Sequence, residues 1–310
     1  MLRKGLKQLR FIRSPRVLYR VLATEARMRL GIPTLRSVEL AVTWRCNKSC
    51  PFCYSEDLRE AGRKDDISVE LVRDVMAQAR DLGMVHVNIT GGEPLLRKDL
   101  TELLEAIPRD VIISVVTNGR LLTRERIDAL EAAGVASIQV SYGSNYVEDF
   151  SREMVEYAQE RGIPVCLSVV NTVEERTYVE EAIRLSEELD CLVLFNYPMK
   201  YSLDRETYCR YRNHPNVRED NLFWAGRDRC PAGVEKIYVT NDGEVMNCDR
   251  IHDVYGNTQA EPLAEIWKRM VEQFNTRRRP FCLLEHCTKC PEKPNRVVMD
   301  WESYRQSGYS

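Results

Sequence analysis

The sequence predicts an α/β fold: a parallel sheet, open or curled into a partial (β/α)6 barrel, with a small C-terminal β-hairpin-plus-helix extension. Three observations carry this. Six short β-rich runs alternate with helical patterns between residues 38 and 196. That rhythm stops near residue 200. A tail with its own turn and helix signals follows.

The strand runs are 38–43 (VELAVT), 85–90, 111–116, 136–141, 164–170 and 191–196. Several read as apolar almost throughout, the pattern of parallel strands covered on both faces. Between them, 68–82 has Ser68 as N-cap, a stripe of Leu71, Val72, Val75, Met76, Ala79 and Leu82, and Gly83 to close. Segment 123–133 starts at Thr123 and ends at Gly134; 149–161 and 174–189 read as helices too. Strand–helix units in series imply right-handed crossovers between parallel strands. In the tail, IYVT at 237–240, the turn Asn241-Asp242-Gly243 and the EVMNC stretch form a hairpin signal, and 262–274 is an amphipathic helix. The expected divisions are 1–36, a basic amphipathic segment; 37–200, the barrel core; 201–228, a connection; and 229–310, the extension.

At 310 residues, with 30% charged and 44% hydrophobic composition, the chain is an ordinary globular protein able to bury a full core. No signal peptide or membrane-length apolar run is visible, so the expected location is cytoplasmic. There, eleven cysteines point to metal ligation or catalysis rather than to disulfides. Cys166, Cys191 and Cys209 are scattered and read as small buried hydrophobes. Residues 1–36 hold ten Lys/Arg against one acid, Glu25, a net +9 within a chain of net −2. Leu2, Leu6 and Leu9, then Val17, Leu18, Val21 and Leu22, fall at helical spacing there. Packing on the barrel is the expected outcome, with peripheral contact to the inner membrane face through residues 1–30 as the alternative. No nucleic-acid-binding motif accompanies the charge.

Cys46, Cys50 and Cys53 follow the first strand in TWRCNKSCPFCY. Thiolates so spaced can wrap an iron–sulfur cubane and leave one iron without a protein ligand; structural zinc, the rival, wants four. Gly91-Gly92-Glu93-Pro94 ends the second strand and Thr117-Asn118-Gly119 the third. All sit at strand C-terminal ends, where α/β sheets place their sites.

This C-x3-C-x2-C loop, with Phe52 before the last cysteine and GGEP and TNG downstream, resembles the radical S-adenosylmethionine (SAM) superfamily. The resemblance spans about residues 38–290. It implies a 4Fe–4S cluster on Cys46, Cys50 and Cys53, with SAM chelated to the open iron. Reductive cleavage then yields a 5′-deoxyadenosyl radical that abstracts hydrogen from substrate. It further implies SAM contacts from Phe52, Gly91, Gly92, Glu93, Pro94, Thr117, Asn118 and Ser141, with the Glu93 carboxylate pairing the SAM ammonium. Many relatives read S-x-D-G after the fourth strand; here Ser141-Tyr142-Gly143-Ser144 lacks the acid, leaving Asn145 as a stand-in for the ribose contact.

The tail pattern, Cys230 through Gly233 and Gly243 to Cys248 and then Cys287 and Cys290, resembles the SPASM/twitch extension of the same enzymes. Five cysteines suit one auxiliary 4Fe–4S cluster on Cys230, Cys248, Cys287 and Cys290, a zinc ribbon being the rival. Cys282 is left over, as a packing thiol, an exchanged ligand or a hydrogen-atom donor in an epimerase. The expected function is hydrogen abstraction from a small molecule (a sugar, an aminocyclitol or a lipid-linked glycan), ending in oxidation or epimerisation. A ferredoxin- or flavodoxin-type donor, or a reductase, would supply the electron. The alternatives are a peptide-modifying maturase and a non-catalytic metal-cluster scaffold.

Overall fold

The computed structural model describes residues 9–60, 66–196, 203–219, 231–249 and 251–274. One ten-stranded sheet organises them, the strands of the tail lying beyond the first strand at one edge. Strands β1 (Ser37–Thr43), β2 (His86–Gly91), β3 (Ile112–Thr117), β4 (Ser137–Ser141), β5 (Val165–Val170) and β6 (Leu192–Asn196) lie within one residue of their expected bounds, all parallel. A further parallel strand, β7 (Val217–Glu219), follows β6. Its three residues are too few to show a period in the sequence.

Helices α1 (Pro15–Arg29), α2 (Glu56–Glu60), α3 (Val69–Asp81), α4 (Leu100–Glu105), α5 (Arg124–Ala132), α6 (Arg152–Glu160), α7 (Arg176–Glu188) and α8 (Arg205–Tyr211) precede or connect the strands. Ser68, Thr123 and Ser151 cap α3, α5 and α6, each side chain accepting a first-turn N–H. The short helix α8 leaves Cys209 exposed, unlike buried Cys166 and Cys191.

The tail hairpin, β8 (Lys236–Val239) with β9 (Glu244–Cys248), is antiparallel as expected, and β10 (Ile251–Asn257) adds to it. Strand β8 also pairs in parallel with β1, from Ser37↔Lys236 to Leu40↔Val239. The extension therefore continues the barrel sheet across the expected 201–228 connection. Helix α9 (Leu263–Phe274) buries Leu263, Ile266 and Met270, and its Trp267 Nε1 donates to Val234 O at 2.9 Å.

The strands are not apolar on both faces. Val38, Leu40, Val42, Val87, Ile89, Ile113, Val115, Ile138, Val140, Leu167, Val193 and Phe195 pack into the main core beneath the helices. Alternate positions turn into the barrel and are largely polar: Glu39, Asn88, Gln139, Ser168 and Asn196. These bond to one another, Gln139 Nε2 donating to Asn88 Oδ1 at 2.9 Å and Asn196 Nδ2 to Ser168 Oγ at 2.6 Å. A polar lumen of this kind holds a ligand or water rather than a second core.

Lower in the barrel, His86 bridges three strands. Its Nδ1 lies 3.1 Å from Ser37 Oγ and its Nε2 3.0 Å from Ser114 Oγ. Burial, with Arg36 and Lys236 nearby, pushes its pKa down to about 3 from 6.5. The folded state thus binds the His86 proton more weakly than the unfolded chain. The stability is complete above the unfolded pKa and is lost as pH falls toward 3. Unfolding in denaturant should show a loss of roughly 2 kcal/mol on going from about pH 7.5 to about pH 5, beyond that of His86→Gln. Equal pH slopes in the two proteins would remove His86 as the cause.

Candidate functional site

The cysteine loop leaves β1 at the C-terminal edge of the sheet and is held at three places. At its start, Gly92 N donates to Thr43 O at 2.7 Å and Glu93 N to Arg45 O at 2.8 Å. This contact explains the glycines. A Cβ on Gly91 would lie 2.3 Å from Thr43 O, and one on Gly92 2.2 Å from Arg45 O. The pair lets the end of β2 close on the root of the loop, besides lining the cavity.

In the middle, Asn118 Nδ2 donates to Asn47 Oδ1 at 2.7 Å, and Lys48 Nζ to Asn145 O at 2.5 Å. Lys48 also pairs with Asp149 and lies 5.6 Å over the Tyr146 ring. Asn145 thus meets the loop through its backbone, while Tyr146 lines the cavity. The Tyr146 hydroxyl is hydrogen-bonded to Cys50 Sγ at 3.0 Å, and its ring lies 6.1 Å from that of Phe52. At the end of the loop, Tyr54 bonds Thr90 Oγ1 at 2.9 Å and meets Tyr238 of β8 edge-on.

Glu93 is fully buried and its carboxylate has protein partners. Oε1 accepts from Leu95 N at 3.0 Å and from Thr117 Oγ1 at 2.8 Å; Oε2 accepts from Asn118 N at 2.7 Å. It ties the GGEP turn to the TNG loop and is not among the cavity-lining residues. These three bonds fix the orientation of the carboxylate beneath the TNG loop. Burial pushes its pKa up, and these hydrogen bonds oppose that. Pro94 starts a buried 3₁₀ turn, Pro94–Leu96, fixing where Glu93 sits.

Together these contacts frame a cavity of about 190 Å³ in the barrel mouth. Cys46, Cys50, Phe52, Cys53, Gly91, Gly92, Thr117, Asn118 and Ser141 all line it. So do residues not anticipated as site residues: Glu39, Lys48, Arg59, Tyr146 and Asp249. Burial pushes the Cys46 and Cys50 thiols up, so thiolates there call for a compensating cation. Among the described residues no three His, Cys, Asp or Glu side chains close on a single ion. Three soft donors from one loop, all lining the same cavity, suit the irons of a cluster, and the site fits that group.

Of the expected auxiliary ligands, Cys248 is buried at the end of β9. Its Sγ donates to Asp249 Oδ1 at 3.2 Å, and Asp249 lines the cavity, so this ligand stands one residue from the barrel mouth. Cys230, Cys282, Cys287 and Cys290 lie outside the described residues.

Comparison with known proteins accords with this geometry. The sequence pattern of the Radical SAM superfamily matches residues 40–186, and that of the SPASM iron–sulfur cluster-binding domain matches 230–291. The PqqA peptide cyclase of Rhizobium meliloti is 26% identical over 81% of this chain and 78% of its own length. The PqqA peptide cyclase of Streptomyces rochei is 27% identical over 85% and 83%. Among solved structures, Streptococcus suis SuiB bound to precursor peptide SuiA aligns with a TM-score of 0.61 at 15% identity, over 79% of this chain and 67% of SuiB. That last likeness is one of fold.

Proposed function

Because this chain belongs to the radical SAM superfamily and carries a SPASM-type auxiliary iron–sulfur domain, we propose that it is a peptide-modifying maturase that abstracts hydrogen from a residue of a precursor peptide. The cofactors are the SAM-binding 4Fe–4S cluster, auxiliary iron–sulfur ligation and SAM. This reading replaces the small-molecule substrate anticipated from the sequence. The observation that carries it is the similarity to two peptide cyclases along some four-fifths of the chain. Among the outcomes open to such an enzyme, cyclisation is favoured over simple oxidation or epimerisation on the same ground.

When bound, the cluster and SAM supply a 5′-deoxyadenosyl radical competent to take a hydrogen atom. The protein supplies position. Cys46, Cys50 and Cys53 hold the cluster at the rim of the cavity. Gly91, Gly92, Thr117, Asn118 and Ser141 offer backbone and polar contacts for SAM, with Phe52 as an aromatic wall. Glu93 keeps the TNG loop in register with the GGEP turn through its three accepted hydrogen bonds. Inside, Asn88, Gln139, Ser168 and Asn196 present amide and hydroxyl groups suited to a peptide backbone or polar side chain. A peptide would lie across the mouth and present one side chain to this lining. Asp249 and Glu39 place carboxylates on the same lining. The electron would come from a ferredoxin- or flavodoxin-type protein.

The test is product analysis with reconstituted enzyme, SAM and dithionite against a panel of synthetic peptides, sugars and aminocyclitols. A peptide that raises 5′-deoxyadenosine output and itself loses two hydrogens is the expected result. Stimulation by a sugar or aminocyclitol, with no peptide altered, would return the function to small molecules.

A further inference from the structure

Helix α1 has two apolar faces. Val17, Thr24 and Met28 are buried against the barrel, with Val21 half-buried beside them. The stripe Val17, Leu18, Val21 and Leu22 expected from the sequence is therefore split, because Leu18 and Leu22 turn outward. Among the described residues seven large hydrophobics are exposed, and five lie here: Leu18 (39%), Tyr19 (73%), Leu22 (60%), Leu30 (77%) and Ile32 (43%). At about 100° per residue, Leu18, Leu22, Pro15, Ala26, Tyr19 and Leu30 cover roughly a third of the helix circumference. Exposed Arg16 and Arg27 border this arc on one side, and Arg29, paired with Glu25 at 3.0 Å, lies within it.

The helix is fixed at the end of the barrel opposite the cysteine loop. Arg20 donates to Met84 O at 2.8 Å and Thr24 Oγ1 to Gly83 O at 2.9 Å, just before β2. Arg13 donates to Gly162 O at 2.8 Å, before β5, and Arg10 pairs with Asp190 at 2.6 Å, before β6. Phe11 packs with Ile112, Ala136, Cys166 and Leu192, near the starts of β3 to β6. An anchored helix with an exposed apolar arc and arginines at its border has the make-up of an interfacial helix. The charge supports the same partner: residues 1–36 carry +9, so the rest of the chain carries about −11 and is repelled by an anionic surface.

We propose that α1 and the turn through Ile32 dock peripherally on an anionic lipid bilayer, with the cavity mouth facing water. In this orientation the bilayer is a tether and not the source of the substrate. The inference is independent of the peptide reading above.

Flotation of the full chain with vesicles of phosphatidylglycerol and phosphatidylcholine tests it. The wild type should float with these vesicles and not with phosphatidylcholine alone, and Leu18→Gln/Leu22→Gln should stay at the bottom while still cleaving SAM. Each basic residue near such a surface is worth about fivefold, so Arg16→Gln/Arg27→Gln should bind roughly twenty-five-fold more weakly. This second variant keeps the test decisive if the first fails to fold. Wild-type protein that does not float would overturn the proposal, as would flotation unchanged in both variants. A dimer in light scattering that Leu18→Gln/Leu22→Gln converts to monomer, without wild-type flotation, would assign the arc to a second copy instead.

Discussion

The Cys46→Ala/Cys50→Ala/Cys53→Ala variant is expected to fold and to cleave no SAM. The three thiols are half-buried at the rim of a cavity and belong to none of the hydrophobic clusters. The variant loses the Cys50 bond to Tyr146, but the loop's other anchors lie elsewhere, in the Thr43–Arg45 backbone, Asn47, Lys48 and Tyr54. Partly exposed positions of this kind cost within about 1 kcal/mol each on truncation. The fair comparison is with wild-type protein stripped of iron, because bound cluster stabilises the native state by mass action. Denaturation of the two apo proteins should differ by no more than about 3 kcal/mol in all, while the variant retains about four fewer irons after reconstitution. Undiminished 5′-deoxyadenosine from the variant would show that these thiols do not hold the catalytic group.

Gly91→Ala should instead fail through the fold. Gly91 has φ +118°, where an L-residue is strained, and its added Cβ would meet the Thr43 carbonyl at 2.3 Å. The obstacle is backbone of the neighbouring strand, which cannot swing aside as a side chain can. Strain and overpacking together should cost about 4 kcal/mol, measured by urea unfolding. Iron retention should fall with it, since the same contact roots the cysteine loop. A variant within about 0.5 kcal/mol of wild type would mean that β2 and the loop can separate freely.

The main features of the fold were legible because they rest on local signals. Ser68 and Thr123 stop the extended chain and cap a helix, Gly83 and Gly134 end one with positive φ, and Asn241-Asp242-Gly243 turns a hairpin. The polar lumen was not legible: Glu39, Asn88, Gln139, Ser168 and Asn196 alternate with branched aliphatics, but the apolar residues dominate each run, hide the period of two and read as strands covered on both faces. Strand β8's pairing with β1 is a contact across some two hundred residues, which no local pattern encodes.

At the site, the cysteines, glycines and TNG residues were legible as motifs, and Cys46, Cys50, Cys53, Gly91, Gly92, Thr117 and Asn118 do line one cavity. What each does locally was harder to read. Glu93 satisfies two backbone N–H groups and a hydroxyl, and Gly91 and Gly92 accommodate carbonyls of the neighbouring loop; both roles depend on tertiary approach. Tyr146 and Asp249 carried weak signals, one following the altered S-Y-G-S stretch and the other adjoining Cys248. Neither signal says that the side chain reaches the barrel mouth.

The most direct measurement is made on full-length protein purified without oxygen and reconstituted with iron and sulfide, then given dithionite and SAM. About eight irons per chain, for two cubanes, and formation of 5′-deoxyadenosine are expected. A full iron load with intact SAM and no 5′-deoxyadenosine would contradict the proposed chemistry.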